Sequence, residues 1–301
     1  MIASPDPCAG LHGDNVRRIK INHLTEYHFA ETVTLQPHSL HLRPRDGFDI
    51  RVVSSKLDIT PAAEIRWKRD VYGNSVATAD LSQRSSDLII DSEITIEHYS
   101  DALPKFALED YAQRFPFQYD PRDSIDLSPY KSLIFPEDEA VIRDWISDVY
   151  QPDSGLGTIF LLTCINQKIA NQLRYEMREE PGVQSPAETL RLGSGSCRDF
   201  ATLFNEICRH LGLAMRFISG YVLGDAVPQQ IGSTHAWSEV FLPGSGWRGF
   251  DPTSGLLASS DHIAVAVHRH PESIPPVAGS YIGTGNANPQ MFVDVRVSLL
   301  P

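Results

Sequence analysis

Apolar and polar residues alternate in short segments through the N-terminal third of the chain, from Ile19 to about Tyr99. Prolines and glycines, which favour turns, separate these segments. A period of two places alternate side chains on opposite faces of a strand, so that one face is buried and the other is solvated. The alternating segments are residues 19–29, 48–60, 63–73 and 88–99. The pattern predicts an antiparallel β-sandwich over residues 19–99.

Helical spacing replaces this alternation beyond residues 100–136, a stretch rich in proline and aromatic residues that we interpret as a connecting segment. Apolar residues then recur at intervals of three and four in residues 137–150, 155–175 and 197–211. Alternating segments return after Gly212, at residues 214–224, 234–242, 246–252, 261–269 and 291–300. Helices followed by strands predict an α+β domain with a mainly antiparallel sheet over residues 137–301, and residues 1–18 are left as an N-terminal extension.

The composition narrows the classes of partner. Hydrophobic residues make up 42% of the chain, and the formal net charge is -12 at pH 7. Nucleic acids and anionic membranes are bound through clustered Lys and Arg, so we expect neither as a partner. The first 18 residues lack the apolar stretch of a secretory signal, and the longest apolar run, 159-IFLL-162, is far too short to cross a membrane. We therefore expect a cytoplasmic protein.

Four cysteines, Cys8, Cys164, Cys197 and Cys208, form no CxxC pair, which argues against a zinc site or a disulfide scaffold. Cys197 follows the small-residue loop 193-GSGS-196 and opens a helix, whereas Cys208 lies within the apolar stripe of that helix and is expected in the core. A thiol at a helix N-terminus faces unpaired N–H groups and the positive end of the helix dipole, and both favour the nucleophilic thiolate. The alternative is that Cys197 is only a small residue that fits the turn.

A cysteine nucleophile needs a base and a group that orients the base, and the strands after the helix offer both. His235 lies in one predicted strand and Asp251 ends the next, with the hairpin signal 243-PGSG-246 between them. A four-residue loop would put the two side chains on opposite faces of the sheet. A three- or five-residue loop centred on Gly244 would instead pair Trp237 with Asp251 and set Asp251 diagonal to His235. The chemistry therefore predicts an odd loop or a bulge.

These segments carry a family resemblance. The stretches 195-GSCRDFA-201, 215-MRFISGYV-222 and 235-HAWSEVFLPGSGWRGFDPT-253 resemble the bacterial branch of the transglutaminase-like superfamily, which is related to papain. The N-terminal segment, from 19-IKINHLTEYHF-29 through 97-EHY-99, is similar to the β-rich N-terminal region found beside such cores. The resemblance implies a papain/transglutaminase-like core in which Cys197 is the nucleophile, His235 the base and Asp251 the orienting acid.

The resemblance also implies a reaction. The thiolate attacks an amide carbonyl, ammonia or an amine leaves, and water or a second amine resolves the thioester. We expect hydrolysis of a peptide or protein amide substrate rather than transamidation, because no dedicated lysine-binding channel is evident, and we expect no cofactor and no metal. The alternatives are a non-catalytic peptide-binding module and an amide-forming acyltransferase in a biosynthetic pathway.

Several neighbouring residues keep two interpretations at this stage. Trp237 either shields the imidazole or packs in the core, Tyr221 either gates the thiol or packs, and Arg198 pairs with a substrate carboxylate or does not. Asp199 is expected to complement the helix dipole. The second donor to an oxyanion is left open among Gln113, Gln167 and Trp145, and a zinc site at His262, His268 and His270 is a minor alternative.

Overall fold

The structure, a computed structural model, describes residues 16–81, 83–99, 106–152, 154–178, 180–224 and 234–301. Cys8 and residues 1–15 of the predicted N-terminal extension lie outside the described residues, as do residues 100–105 of the predicted connecting segment. No helix among the described residues is long and apolar enough to cross a membrane.

The N-terminal region is made of antiparallel strands, which confirms the predicted β-rich region. The strands are β1 (Arg17–Leu35), β2 (His38–Leu40), β3 (Ile50–Thr60), β4 (Glu64–Arg69), β5 (Ser75–Asp80) and β6 (Arg84–His98). Strands β1, β6 and β3 are neighbours in one sheet, and β2, β5 and β4 in another. Alternate side chains of β1 are buried, among them Ile19 and Ile21. Further along β1, Val33 and Leu35 share an apolar cluster with Ala77 of the second sheet, so the two sheets pack on each other.

The predicted connecting segment contains a helix that the periodicity analysis missed. Helix α1 (Pro121–Lys131) begins after Asp120, whose side chain accepts a hydrogen bond from the Arg122 N–H (2.9 Å). Leu127 is its buried residue, so its sequence lacks the apolar repeat by which a core helix is detected. Short 3₁₀ turns lie on either side of α1, at Asp110–Ala112 and Pro136–Asp138.

A helical layer follows. It comprises α2 (Glu139–Ile146), α3 (Thr158–Gln172), β7 (Arg174–Tyr175), α4 (Pro186–Leu192), β8 (Ser194–Gly195) and α5 (Cys197–His210). Helix α5 is central: its residues from Asp199 to Arg209 are all buried, and Gly212, with φ of +83°, follows its end. Three of these helices match the predicted ones, and α4 was not predicted.

The second half of the chain builds a five-stranded sheet against α5. Its strands are β9 (Met215–Val222), β10 (Thr234–Leu242), β11 (Gly246–Asp251), β12 (Leu256–Leu257) and β13 (His262–His268), in the order β12-β11-β10-β9-β13. The Ser238 hydroxyl donates a hydrogen bond to the Ala201 carbonyl (3.0 Å), and the rings of Phe204 and Phe250 stack with centroids 5.6 Å apart. The α+β fold with a mainly antiparallel sheet is therefore confirmed.

The C-terminal strands pair with strands on the other side of the predicted boundary between the two regions. Strands β14 (Val277–Ala278), β15 (Tyr281–Ile282) and β16 (Gln290–Leu299) pair with β2 and β1 of the N-terminal region. Strand β16 follows β1 over ten paired positions, from Ile19 with Leu299 to His28 with Gln290. An alternating pattern marks a strand but does not say which sheet the strand joins, so the pairing of β16 could not be predicted from the sequence.

Candidate active site

Cys197 lies at the first position of α5, as predicted. The Asp199 carboxylate accepts hydrogen bonds from the Ser196 N–H (2.8 Å) and the Ser196 hydroxyl (2.7 Å), which fixes the turn that leads into the helix. Cys197 is partly exposed, whereas Cys208 in the same helix is fully buried, as predicted for a core residue. Burial raises the pKa of the Cys208 thiol, so that thiol is not a nucleophile at neutral pH.

Asp199 does more than complement the helix dipole. Its side chain is fully buried and binds Arg178 Nη1 with both oxygens (2.7 and 2.9 Å), and it also accepts from the Gln184 N–H (2.8 Å). Arg198 donates to the backbone carbonyls of Arg178 and Glu180. The Arg198 guanidinium thus holds the segment that precedes the helix. These hydrogen bonds do not favour the interpretation that Arg198 binds a substrate carboxylate.

The hairpin between β10 and β11 has the predicted odd loop. Leu242 pairs with Gly246 and Ser238 with Phe250, so the loop has three residues and Trp237 lies level with Asp251. Gly244, at the centre of the loop, has φ of +85°. This register puts His235 and Asp251 on one face of the sheet, diagonal to each other.

The two side chains are in contact. His235 Nε2 lies 3.1 Å from Asp251 Oδ2, and both side chains are fully buried. The approach at Nε2 is short, but its geometry is not that of a regular hydrogen bond, a looseness common in catalytic sites without substrate.

The Cys197 thiol also interacts with the His235 imidazole, and this contact raises the pKa of the ring. His235 is the second residue of β10. Three residues later on this strand, the Ser238 hydroxyl donates a hydrogen bond to the carbonyl of Ala201, which lies four residues after Cys197 in α5. This hydrogen bond and the contact of His235 with Cys197 join the start of the helix to the start of the strand. Because Nε2 faces Asp251, Nδ1 is the nitrogen left for the thiol. The structure thus brings the three predicted site residues together.

Charge and burial shift the pKa values of His235 and Asp251 in opposite directions. Burial alone would lower the pKa of His235, but the charge and close approach of the Asp251 carboxylate, together with the contact with Cys197, raise the pKa to about 10. Burial alone would raise the pKa of Asp251, but His235 and a hydrogen bond from His262 hold that pKa well below its usual range. At neutral pH the arrangement favours a charged imidazolium beside an ionised carboxylate, and an imidazolium favours a neighbouring thiolate.

Aromatic side chains close the site. Trp237 is buried and stacks on His235, with ring centroids 6.1 Å apart and planes at 24°. It therefore shields the imidazole and belongs to the core at once. Tyr221 is also buried; its hydroxyl contacts His23 Nδ1 (2.9 Å) and the Leu42 carbonyl (3.3 Å), so packing rather than gating describes it.

The three histidines of the minor zinc alternative do not converge. His262 Nε2 lies 3.3 Å from Asp251 Oδ2. Its partners are thus His235 and Asp251: one ligand atom from each of the three residues lies within 4.8 Å of the others. His268 is six positions along β13, about 20 Å away at 3.3 Å per residue, and its ring packs on Tyr72 with centroids 4.4 Å apart. Sequence reasoning missed His262 as a partner of Asp251, because no hairpin signal links β13 to its neighbour β9.

The identity of the second hydrogen-bond donor to the oxyanion stays open among Gln113, Gln167 and Trp145. The Gln113 amide donates to Asp110 (3.0 Å), and the Trp145 ring lies under the Lys168 ammonium at 4.1 Å. Gln167 is exposed on α3 beside Gly255, at the turn that follows β11. The backbone N–H of Cys197, at the helix start, is the donor that the fold provides.

Comparisons with known proteins agree with this architecture. Residues 19–97 match the family described as the bacterial transglutaminase-like N-terminal region, and residues 158–252 match the transglutaminase-like superfamily. The chain is 28% identical to an uncharacterised protein of Mycobacterium tuberculosis over 98% of this chain and 95% of that protein. It is 24% identical to an uncharacterised protein of Mycobacterium leprae, over 92% of this chain and 98% of that one.

A solved structure has the same fold. The crystal structure of a proposed cysteine protease from Cytophaga hutchinsonii is similar, with a TM-score of 0.73 and 17% identity over 96% of this chain and 92% of that one. The predicted transglutaminase/papain-like core is thereby confirmed. These matches also confirm the family resemblance inferred from the sequence: the chain carries a bacterial transglutaminase-like N-terminal region followed by a transglutaminase-like superfamily core.

Proposed function

We propose that Cys197, His235 and Asp251 form the catalytic triad of an enzyme that transfers acyl groups from amide or peptide bonds through a thioester. The observation that carries the proposal is the contact of His235 with both Asp251, at 3.1 Å, and the thiol at the start of α5. A non-catalytic peptide-binding module would not need this arrangement, and all three residues are present.

The first half-reaction follows from the geometry. The Cys197 thiolate attacks the amide carbonyl carbon, and the developing oxyanion is stabilised by the N–H groups at the start of α5. The C–N bond then breaks, the leaving nitrogen takes the proton of the His235 imidazolium, and a thioester remains. Asp251 stays ionised and orients the imidazole throughout.

The second half-reaction reverses the proton transfer. Neutral His235 takes a proton from water, the oxygen bonds to the acyl carbon, and the C–S bond breaks to release a carboxylic acid and the thiolate. A primary amine in place of water would give a new amide. We propose hydrolysis of a peptide or protein amide as the main outcome, in line with the description of the Cytophaga hutchinsonii protein as a proposed cysteine protease.

Product analysis tests the proposal. A set of glutamine-containing peptides is incubated with the protein, with and without a primary amine, and the products are identified by mass spectrometry. We expect peptide cleavage or side-chain deamidation, with the amine adduct as a minor product. The Cys197→Ala variant should form neither product, whereas Cys164→Ala, which changes a thiol on the neighbouring helix α3, should act like the wild type. Turnover by Cys197→Ala would refute the thioester mechanism.

A further inference from the structure

The Asp251 carboxylate has more partners than a triad requires. Its Oδ2 is 3.1 Å from His235 Nε2, 3.3 Å from His262 Nε2 and 3.0 Å from the Ser254 hydroxyl. Its Oδ1 accepts a hydrogen bond from the Thr253 N–H (2.9 Å). Two imidazoles from different strands therefore meet on one oxygen of a buried carboxylate.

The hydrogen bonds of His262 define its tautomer. Its Nδ1 accepts a hydrogen bond from the Ser259 N–H (3.1 Å), so this nitrogen carries no proton. The proton of the neutral ring is therefore on Nε2, the atom that faces Asp251 Oδ2. His262 is thus a fixed donor to Asp251, whereas His235 exchanges protons with the thiol.

The side chain of Trp237 packs against the imidazoles of both His235 and His262. Trp237 stacks on His235 and meets the ring of His262 edge-on, with centroids 5.2 Å apart. Gly220, opposite both His235 and Ala264 in the sheet, makes room for this indole, because a Cβ there would lie 2.6 Å from the Trp237 ring. Because Gly220 on β9 has no side chain, the Trp237 indole can contact both His235 on β10 and His262 on β13.

We infer that His262 is a positioning residue, which keeps Asp251 Oδ2 directed at His235 and so supports the thiolate–imidazolium pair. This inference rests on the proposed function. A buried carboxylate that loses one donor rotates toward the donors that remain, Ser254 and Thr253, and its charge is then less well placed to hold the imidazolium. The titratable groups that face one another here are Cys197 from α5 and His235, Asp251 and His262 from the sheet.

The pH profile of Cys197 alkylation by iodoacetamide tests the inference. We expect His262→Leu to lower the rate constant near neutral pH about tenfold and to move the acid limb of the profile to higher pH. His262→Gln, whose amide nitrogen reaches the position of Nε2, should restore most of the rate. His262→Asn, whose shorter amide does not reach, should behave like His262→Leu, and this comparison holds even if the leucine variant does not fold. His268→Gln, on the same strand but away from the site, is the matched control and should leave the profile unchanged.

The outcomes separate two failures. If wild-type Cys197 reacts no faster than Cys164, the proposed function and the inference both fail. If wild-type Cys197 is highly reactive and the His262→Asn and His262→Gln profiles coincide with it, the inference alone fails. Stoichiometric zinc in the purified wild type that is lost in His262→Gln would replace the positioning role with a metal site at His235, Asp251 and His262.

Discussion

At the scale of single residues, the buried charges of the site make stability depend on pH. The pKa of His235 is raised from 6.5 to about 10, so its contribution to stability is fully present below pH 6.5 and is lost as the pH rises through about 10. The pKa of Asp251 is lowered from 3.8, so its contribution is present above that value and is lost as the pH falls well below it. The pair therefore stabilises the fold across the neutral range.

The first prediction follows from the basic side of this window. The free energy of unfolding of the wild type should fall between pH 6.5 and about 10. In Asp251→Asn, the buried carboxylate is gone and His235 titrates near or below its ordinary pKa, so this fall should be reduced. Urea unfolding at a series of pH values measures both curves. Parallel curves for the two proteins would show that the pair is not charged.

The residues of the proposed triad could be located from sequence because each lies at a recognisable place. Cys197 opens a helix, and His235 and Asp251 flank a hairpin whose loop length is limited by its glycines. His262 could not be assigned, because β13 lies at the far edge of the sheet beside β9 and only the folded chain shows this neighbour.

At the scale of elements, the start of α5 depends on a buried ion pair as well as on a cap. Asp199 is fully buried and binds Arg178 with both oxygens. We expect Asp199→Ala to lower the free energy of unfolding by about 3 kcal/mol, because it removes the fully buried partner of Arg178 and leaves only the more exposed Glu180 beside it. It should also slow the alkylation of Cys197, whose position the cap defines.

The matched control is the cap of α1. Asp120 accepts a hydrogen bond from the Arg122 N–H, but it is partly exposed and holds no buried charge. Asp120→Ala should therefore cost about 1 kcal/mol, as caps usually do, and leave alkylation unchanged. Equal losses of stability in the two variants, measured by urea unfolding, would contradict the role assigned to Asp199.

The hairpin loop supplies the third prediction. Gly244 has φ of +85°, and a Cβ there would press on the backbone of Ala107 and Glu109. Gly212 has a similar φ of +83° but has open space around it. Gly212→Ala should cost about 1–2 kcal/mol from backbone strain, and Gly244→Ala about 1–3 kcal/mol more because the backbone must also move. If thermal unfolding gives the same loss for both, the close approach at residue 244 does not matter.

The elements were predictable where periodicity is strong and not elsewhere. The apolar stripe of the 197–211 helix was predicted because burial constrains it, and the odd loop at residues 243–245 was predicted because the chemistry constrains it. Helix α1 was missed, because it rests on the surface with Leu127 as its buried residue. Helix α4 is seven residues long, too short for a periodic pattern to stand out.

At the scale of the whole molecule, the C-terminal strand and the shared core tie the two halves together. Strand β16 pairs with β1, and an apolar cluster joins Ile19 and Ile21 to Val295 and to Tyr221 of the other half. Polar contacts cross the same boundary: the Asn74 amide donates to the Val267 carbonyl (2.9 Å).

The fourth prediction concerns this strand. A chain that ends at residue 289 should be markedly less stable than the full chain, because β1 loses the strand that covers one of its edges and Ile19 and Ile21 lose the cover of Val295. The loss should also reduce Cys197 reactivity, since Tyr221 and Cys197 pack in the same cluster. Thermal unfolding and iodoacetamide labelling measure the two effects. A truncated chain with unchanged stability would show that β16 is dispensable. Replacing only the exposed Met291 with Ser is the control and should have little effect.

Fold class was predictable from sequence, whereas the arrangement of its parts was not. Composition and periodicity separate strands from helices, but the pairing of β16 with β1 joins positions as far apart as residues 19 and 299, and it is decided by which apolar faces remain to be covered. The predicted boundaries at residues 99 and 136 stay predictions for the same reason.

The measurement that tests the central claim most directly is the rate of Cys197 alkylation by iodoacetamide below neutral pH, followed by intact mass and peptide mapping. A thiolate held by an imidazolium should react at least about 100-fold faster than the partly exposed thiol of Cys164, whose pKa is raised by burial. The adduct should be missing from Cys197→Ala, and the advantage should be lost in His235→Ala. Equal rates for Cys197 and Cys164 in the wild type, or an unchanged Cys197 rate in His235→Ala, would contradict the triad.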